Sequence, residues 1–392
     1  MQVCDSHRFR TNCVSEFLFI ELQVYVDGLK YATLRQNKKM TEGICNIPKT
    51  RIELHVHLDG SMRHETVWEL LKMKNMKLPG NGTLRDLKKA LTVRNPSDLG
   101  HFLAPFGIFL PAVQDDMTAI ERIAYEFCED KANQNVLYVE ARYSPHAFLT
   151  PKNTNKKTLG EVIAAVHKGF TRGQRDFNIE VRSILCTLIG NNTAREVLEL
   201  YQQHTDKGLV GLDIAALFSE TKNMDEVPLK TEEARVFQEA KKLGIHRTIH
   251  AAERGPAEMA RRAIEIYHAE RIGHGYRVLE DEKVYKACLA KNIHFECCPW
   301  SSFLTGSVPL GVRKHPIAVF ADDNANFSVN TDDPTVTGYD LSDDYTLTTK
   351  WNFTEGVLLR ANLNAASSCF LPECEKRNLI RNLKRNLGLE CL

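Results

Sequence analysis

From residue 50 onward, eight short apolar runs are interleaved with amphipathic stretches, and that alternation leaves few folds open. The strand-like runs are residues 52–57, 136–143, 179–185, 209–215, 245–250, 270–273, 293–298 and 327–331. Helical patterns fill residues 119–133, 159–177, 193–204, 232–243, 256–268 and 280–291. Strands alternating with helices call for parallel pairing with crossover connections. Several runs are apolar throughout, as expected of strands covered on both faces. Eight such units close most simply into a barrel. The expected fold is therefore α/β, a (β/α)8 TIM barrel with extra helices. Its domain spans residues 48–392, and 392 residues accommodate it with insertions.

Residues 1–47 read differently. Two early cysteines and a short apolar patch precede a polar stretch, Arg35-Gln36-Asn37-Lys38-Lys39, and Met40-Thr41-Glu42-Gly43 resembles an ordinary amino terminus. A poorly ordered extension is expected there. The apolar patch 17–26 is broken by Glu21 and Gln23, too short for a transmembrane segment or a signal peptide. With 51 Lys+Arg against 50 Asp+Glu, the chain lacks the basic footprint of a nucleic-acid binder. Its 11 cysteines are scattered, with no Cys-x-x-Cys pair. That pattern favours buried thiols in a reducing, cytoplasmic setting over a thiolate metal site.

The strand ends carry the chemistry. His55 and His57 close the first run in Glu53-Leu54-His55-Val56-His57-Leu58-Asp59-Gly60-Ser61. Side chains two apart on a strand share a face, so both imidazoles can reach one metal ion. The run stops at Asp59-Gly60, a turn pair. His250 ends the fifth run, His274 follows the sixth, and Asp332-Asp333 follow the eighth. In a parallel barrel, catalytic groups sit where strands give way to loops. Four histidines and an aspartate pair at such ends are hard to obtain by chance. Imidazoles plus carboxylate, with a position open to water, suit a catalytic zinc. His101, His146, His246, His294 and His315 are expected to serve as ordinary core or surface histidines.

The sequence closely resembles the cytosolic adenosine deaminases of the amidohydrolase superfamily. Residues 51–61, 138–146, 244–253, 270–276 and 330–334 carry the likeness, as does Arg122-Ile123-Ala124-Tyr125-Glu126-Phe127. The run Cys298-Pro299-Trp300-Ser301-Ser302-Phe303-Leu304-Thr305-Gly306 is especially specific. The resemblance implies one zinc held by His55, His57, His250 and Asp332, with His274 orienting the attacking water. It implies that Glu253 gives a proton to purine N1 and that Asp333 hydrogen-bonds N7. Asp59 would hold the ribose 5′-hydroxyl, His57 would border the substrate, and Phe102 and Phe106 would line an apolar lid. The implied reaction converts adenosine to inosine and 2′-deoxyadenosine to 2′-deoxyinosine, releasing ammonia in purine salvage. The implied protein is a monomer acting on a small purine nucleoside.

Three departures from the family pattern stand out. Where the family has His-Ala-Gly-Glu, this chain has His250-Ala251-Ala252-Glu253. Where the family reads Asp-Leu-Ala-Gly-Asp-Glu, this chain has Asp213-Ile214-Ala215-Ala216-Leu217-Phe218-Ser219-Glu220. Ala216 would then offer its backbone N–H to purine N3 in place of a glycine. The connection 147–159 is shorter than in the vertebrate enzymes. Two other readings stay open on the residues: a weakened homologue that binds nucleosides or proteins, and an AMP or N6-methyl-AMP deaminase. Asp59, which would repel a 5′-phosphate, favours a nucleoside.

Overall fold

The computed structural model describes residues 47–152, 156–188, 192–215 and 232–389. The expected extension, Ala216-Leu217-Phe218 and part of the 147–159 connection lie outside the described residues. Eight parallel strands follow one another around the sheet in chain order. They are β1 (Arg51–His57), β2 (Val136–Tyr143), β3 (Glu180–Leu188) and β4 (Leu209–Ala215). β5 (His246–Ala251), β6 (Arg271–His274), β7 (His294–Cys297) and β8 (Phe327–Val329) complete them. The fold is the TIM barrel that the alternation implied.

β8 stops two residues short of its expected end, and the reason is local. The Asn330 side-chain oxygen takes the backbone N–H groups of Leu54 and His55, at 2.9 and 3.1 Å. It thereby replaces main-chain pairing with β1. Pairing resumes one step further on, at the isolated bridge between Val56 and Asp332. The barrel closes there, and Asp332 is pinned beside the histidines of β1.

Helices cover the outside in the expected places. Leu159–Phe177 begins with a capping box, Thr158 and Glu161 satisfying each other's backbone N–H groups. Beyond the expected set, the long β1–β2 connection adds His64–Met73, Leu84–Leu91, Leu99–Leu103 and Phe106–Phe109. At the other end of the barrel, Glu355–Ser368 and Glu373–Asn386 close the floor. Leu363, Leu379 and Leu383 bury themselves with Ile52, Leu54 and Tyr138.

The inside of the barrel is charged. Arg142 donates to Glu296 at 2.7 Å and to Asp213 at 3.1 Å. Arg271 joins Glu296 at 2.7 Å to Glu140 at 2.6 Å, and its guanidinium lies 3.6 Å over the Phe370 ring of the floor. Buried charges survive only when paired and hydrogen-bonded, and these are.

Candidate active site and metal centre

β1 delivers His55 fully buried. Its Nδ1 is 2.7 Å from Glu296 Oε2, which leaves Nε2 facing the strand ends. That Nε2 is buried, has no hydrogen-bond partner, and stands 3.2 Å from Asp332 Oδ1. His250 repeats the pattern. Its Nδ1 sits between Asp213 Oδ1 at 3.2 Å and the Ile214 carbonyl at 3.1 Å. Its Nε2 meets His57 Nε2 at 3.2 Å, and His57 Nε2 is 3.3 Å from Asp332 Oδ1. Ser301 Oγ donates to the second Asp332 oxygen at 2.7 Å. His274 Nε2 keeps more distance, 3.7 Å from Asp332 Oδ2 and 3.8 Å from Glu253 Oε2.

Among the described residues, His55, His250, His274 and Asp332 present donor atoms within 4.8 Å of one another, a group suited to a metal ion. The unpartnered His55 Nε2 is what such an ion would satisfy. Metal–nitrogen bonds of about 2.0–2.1 Å in a tetrahedral site set donors about 3.3 Å apart. The contacts of 3.2–3.3 Å among His55, His57, His250 and Asp332 have that spacing. In both His55 and His250 a carboxylate holds Nδ1 and turns Nε2 inward, the arrangement that orients metal-binding histidines.

Protonation follows from the surroundings. Burial, with Arg142 adding to it, lowers the His55 pKa. Burial, opposed by Asp213, brings His250 down to about 4. Burial pulls His57 down as well, but the carboxylates of Asp333, Asp59 and Asp332 outweigh it and raise His57 to about 9. Asp332 falls well below the carboxylate range, because the imidazoles of His55 and His274 overcome its burial. Neutral His55 and His250 beside an ionised Asp332 are the forms a metal binds. Burial, then Asp332, holds Asp333 well above the carboxylate range.

The backbone is strained at the same place. His274 has φ 64°, Asp332 φ 67° and Ala252 φ 53°. Left-handed backbone costs a non-glycine residue about 1–2 kcal/mol, and such strain collects at functional sites.

A cavity of about 400 Å³ opens over the cluster. His57, Asp59, His250, Glu253, His274, Asp332 and Asp333 line its polar end; Leu99, Phe102, Leu103, Phe106 and Leu110 line the apolar wall. Phe102 is buried, and Phe106 is half-buried against Phe109. The two Phe share no helix, since Pro105 separates Leu99–Leu103 from Phe106–Phe109. Asp59 accepts the Ser144 N–H at 3.3 Å on Oδ2, while its buried Oδ1 has no hydrogen-bond partner. Asp333 Oδ1 is likewise buried without one.

Thus His57, Asp59, Phe102, Phe106, His250, Glu253, His274, Asp332 and Asp333 line one cavity, and His55 lies buried beneath it beside Asp332. Of the remaining histidines, His246 pairs with Glu270, His294 bonds Asn326 and Ser328, and His315 stacks on Trp351. His101 is exposed, while His146 pairs with Glu196 at the cavity's edge. Sequence reasoning missed the supporting residues Arg142, Asp213, Glu296 and Ser301. A signal existed for the first three: each is a charge inside a strand-like run.

Residues 48–386 match the family model described as adenosine deaminase. The chain belongs to the adenosine deaminase family. It is 42% identical over 351 residues to the adenosine deaminase of Xenopus tropicalis, covering 87% of this chain and 96% of that protein. Solved structures share the fold at lower identity. An adenine deaminase from Arthrobacter aurescens superposes with a TM-score of 0.75 at 22% identity, covering 88% of this chain and all of that one. A zinc-bound amidohydrolase from Burkholderia ambifaria gives 0.73 at 20% identity, covering 91% and 98%. The cavity lies above the carboxyl ends of the strands, the face where this barrel fold carries its sites.

Proposed function

We propose that the protein is a zinc-dependent hydrolase that converts adenosine and 2′-deoxyadenosine to the corresponding inosines. The observation that carries this reading is the imidazole–carboxylate cluster under Glu253, at the polar end of a cavity with an apolar wall. His55, His57, His250 and Asp332 would hold the zinc, as their close donor spacing supports. Zinc bound there supplies the Lewis acid that makes water nucleophilic near neutral pH.

The remaining work falls to the chain's own side chains. Glu253 donates a proton to purine N1, which draws electrons from C6 and opens it to water. His274, between Asp332 and Glu253, orients the attacking water and shares its proton. Oxygen adds to C6, the exocyclic amino group gains a proton, and ammonia leaves. Asp333 and Asp59 each have a buried oxygen without a hydrogen bond, that of Asp59 standing 3.7 Å from His57 Nδ1, available to N7 and to the ribose 5′-hydroxyl. Phe102 and Phe106 exclude water from the ring. Asp59 sets the choice of nucleoside over nucleotide, because a second anion at that depth is repelled with little screening.

No helix among the described residues is long and apolar enough to cross a membrane. Six buried free cysteines among those residues support a reducing, cytoplasmic setting. The protein is taken to act as a monomer. Loss of adenosine absorbance, followed alongside elemental analysis for zinc, tests the reading. Stoichiometric zinc with conversion to inosine is expected; full turnover after exhaustive chelation would refute the metal role.

A further inference from the structure

The apolar wall of the cavity is tied down by polar contacts. Helix Leu99–Leu103, which carries Phe102, starts two residues after Ser97. The Ser97 N–H donates to the Leu304 carbonyl at 3.1 Å, and the Ser97 carbonyl accepts from Arg254 Nη1, also at 3.1 Å. The same nitrogen donates to the Thr305 carbonyl in a short contact. Gly306 fits beneath: with φ +70°, any Cβ there would stand 2.2 Å from the Ser97 carbonyl oxygen. Arg254 directly follows Glu253, and its own carbonyl accepts from Arg277. Ser307 Oγ comes back within 3.5 Å of Glu253 Oε1. One guanidinium therefore joins the loop bearing the proton donor, the loop behind it, and the segment that roofs the cavity.

We propose that Arg254 is a positioning residue that latches the roof segment 97–106 over a bound purine nucleoside and keeps it in register with Glu253. The proposal rests on the deaminase reading for its substrate, not for its geometry. Both acceptors are main-chain carbonyls, so the latch depends on the guanidinium and not on the side chains at 97 and 305. A charged donor shared by two carbonyls is among the stronger hydrogen-bond arrangements, and here one guanidinium nitrogen serves both. An open roof weakens substrate and transition state alike, which raises KM while sparing kcat.

The test uses the full-length, zinc-loaded protein. R254M keeps the aliphatic stem and removes every donor. It should raise KM for adenosine about tenfold while kcat changes by no more than about threefold and zinc content stays the same. Amide hydrogen exchange should quicken across residues 97–106 and not in the strands. R254K, which keeps a charged donor on a shorter side chain, should recover part of the loss; G306A should raise KM by displacing the roof with the guanidinium intact. Should R254M fail to fold, R254K and G306A carry the same comparison. Unchanged KM and unchanged exchange at 97–106 would overturn the latch. So would a fall in kcat and zinc content with KM unmoved, since Arg254 would then serve only the catalytic loop. If the parent protein does not deaminate adenosine, the functional reading fails, and exchange at 97–106 still decides the latch.

Discussion

Glu296 holds His55 by a 2.7 Å contact between Oε2 and Nδ1, and the same oxygen accepts Arg142 at 2.7 Å. Its other oxygen takes Arg271 at 2.7 Å and Thr248 at 2.9 Å. One carboxylate thus orients the His55 imidazole and is shared by two guanidinium groups, whose other counter-charges are Asp213 and Glu140. Two arginines and His55 hold its pKa well below the usual range despite burial. Glu296 is ionised at any working pH, and His55 keeps its proton on Nδ1.

Glu296→Gln should therefore weaken metal binding by about 10- to 100-fold, as loss of an outer partner of a ligand commonly does. It should also lower stability, by less than the about 3–5 kcal/mol of an unpaired buried charge, because Arg142 keeps Asp213 and Arg271 keeps Glu140. Competition with a chelator and a denaturant titration measure the two effects. Parent-like metal affinity would mean that His55 needs no orienting partner.

Glu253→Gln should fold, keep its metal, and lose about 10² to 10⁴-fold in kcat, the usual contribution of a positioned acid. The amide matches the carboxyl in shape but delivers no proton. Single-turnover kinetics on metal-loaded protein report the chemical step alone; a parent-like rate there would remove Glu253 from its role.

Gly60 leaves room for Asp333. A Cβ at residue 60 would lie 1.8 Å from Asp333 Oδ1, so Gly60→Ala must push that carboxyl aside. A shift of about 1 Å at a reacting centre can cost about a hundredfold in rate. The expected result is a drop of that order in kcat/KM with zinc content intact. Equal kcat/KM in parent and variant would show that Asp333 does not contact the purine.

Ala252 has φ 53° where the resembled family has glycine. Left-handed alanine costs about 1–2 kcal/mol, whereas a glycine costs up to about 1 kcal/mol more chain entropy on folding. The two nearly cancel, so Ala252→Gly should leave stability within about 1 kcal/mol of the parent. Ala252→Val should be clearly worse, since branching at Cβ makes that backbone harder to adopt. Urea midpoints of the three proteins decide it.

Acid should destabilise the fold before the carboxylates titrate. Burial lowers His294 from 6.5 to about 4 and His315 from 6.5 to about 3. Below pH 6.5 the unfolded chain takes up protons that the folded one refuses. Stability is fully present above that pH and is lost as pH falls toward 4, by more than about 1 kcal/mol per histidine. The melting temperature should drop across this window, and less steeply in His294→Gln. Identical slopes in the two proteins would contradict the assignment to His294.

The convergence of His55, His57, His250 and His274 was legible because strand patterns locate strand ends, and strand ends are where a barrel does chemistry. The charge network was not. Arg142, Asp213 and Glu296 lie 71 and 154 positions apart in the contacts they make, and no local pattern announces such partners. Phe102 and Phe106 have the spacing of one helix face, yet Pro105 divides them between two short helices that converge on the cavity. The early end of β8 was equally hidden, since a side chain, Asn330, does the pairing that backbone was expected to do.

The floor of the barrel links its two ends. The Phe370 N–H donates to Glu140 at 2.6 Å, and the Ser368 carbonyl accepts from Arg271 at 3.2 Å. From Arg271 the contacts run through Glu296 to His55. A protease that clips the chain ahead of Ser368 would thus act as a remote inhibitor. Water entering from below would loosen the electrostatic grip on the metal at the opposite mouth, with no atom of the catalytic face removed.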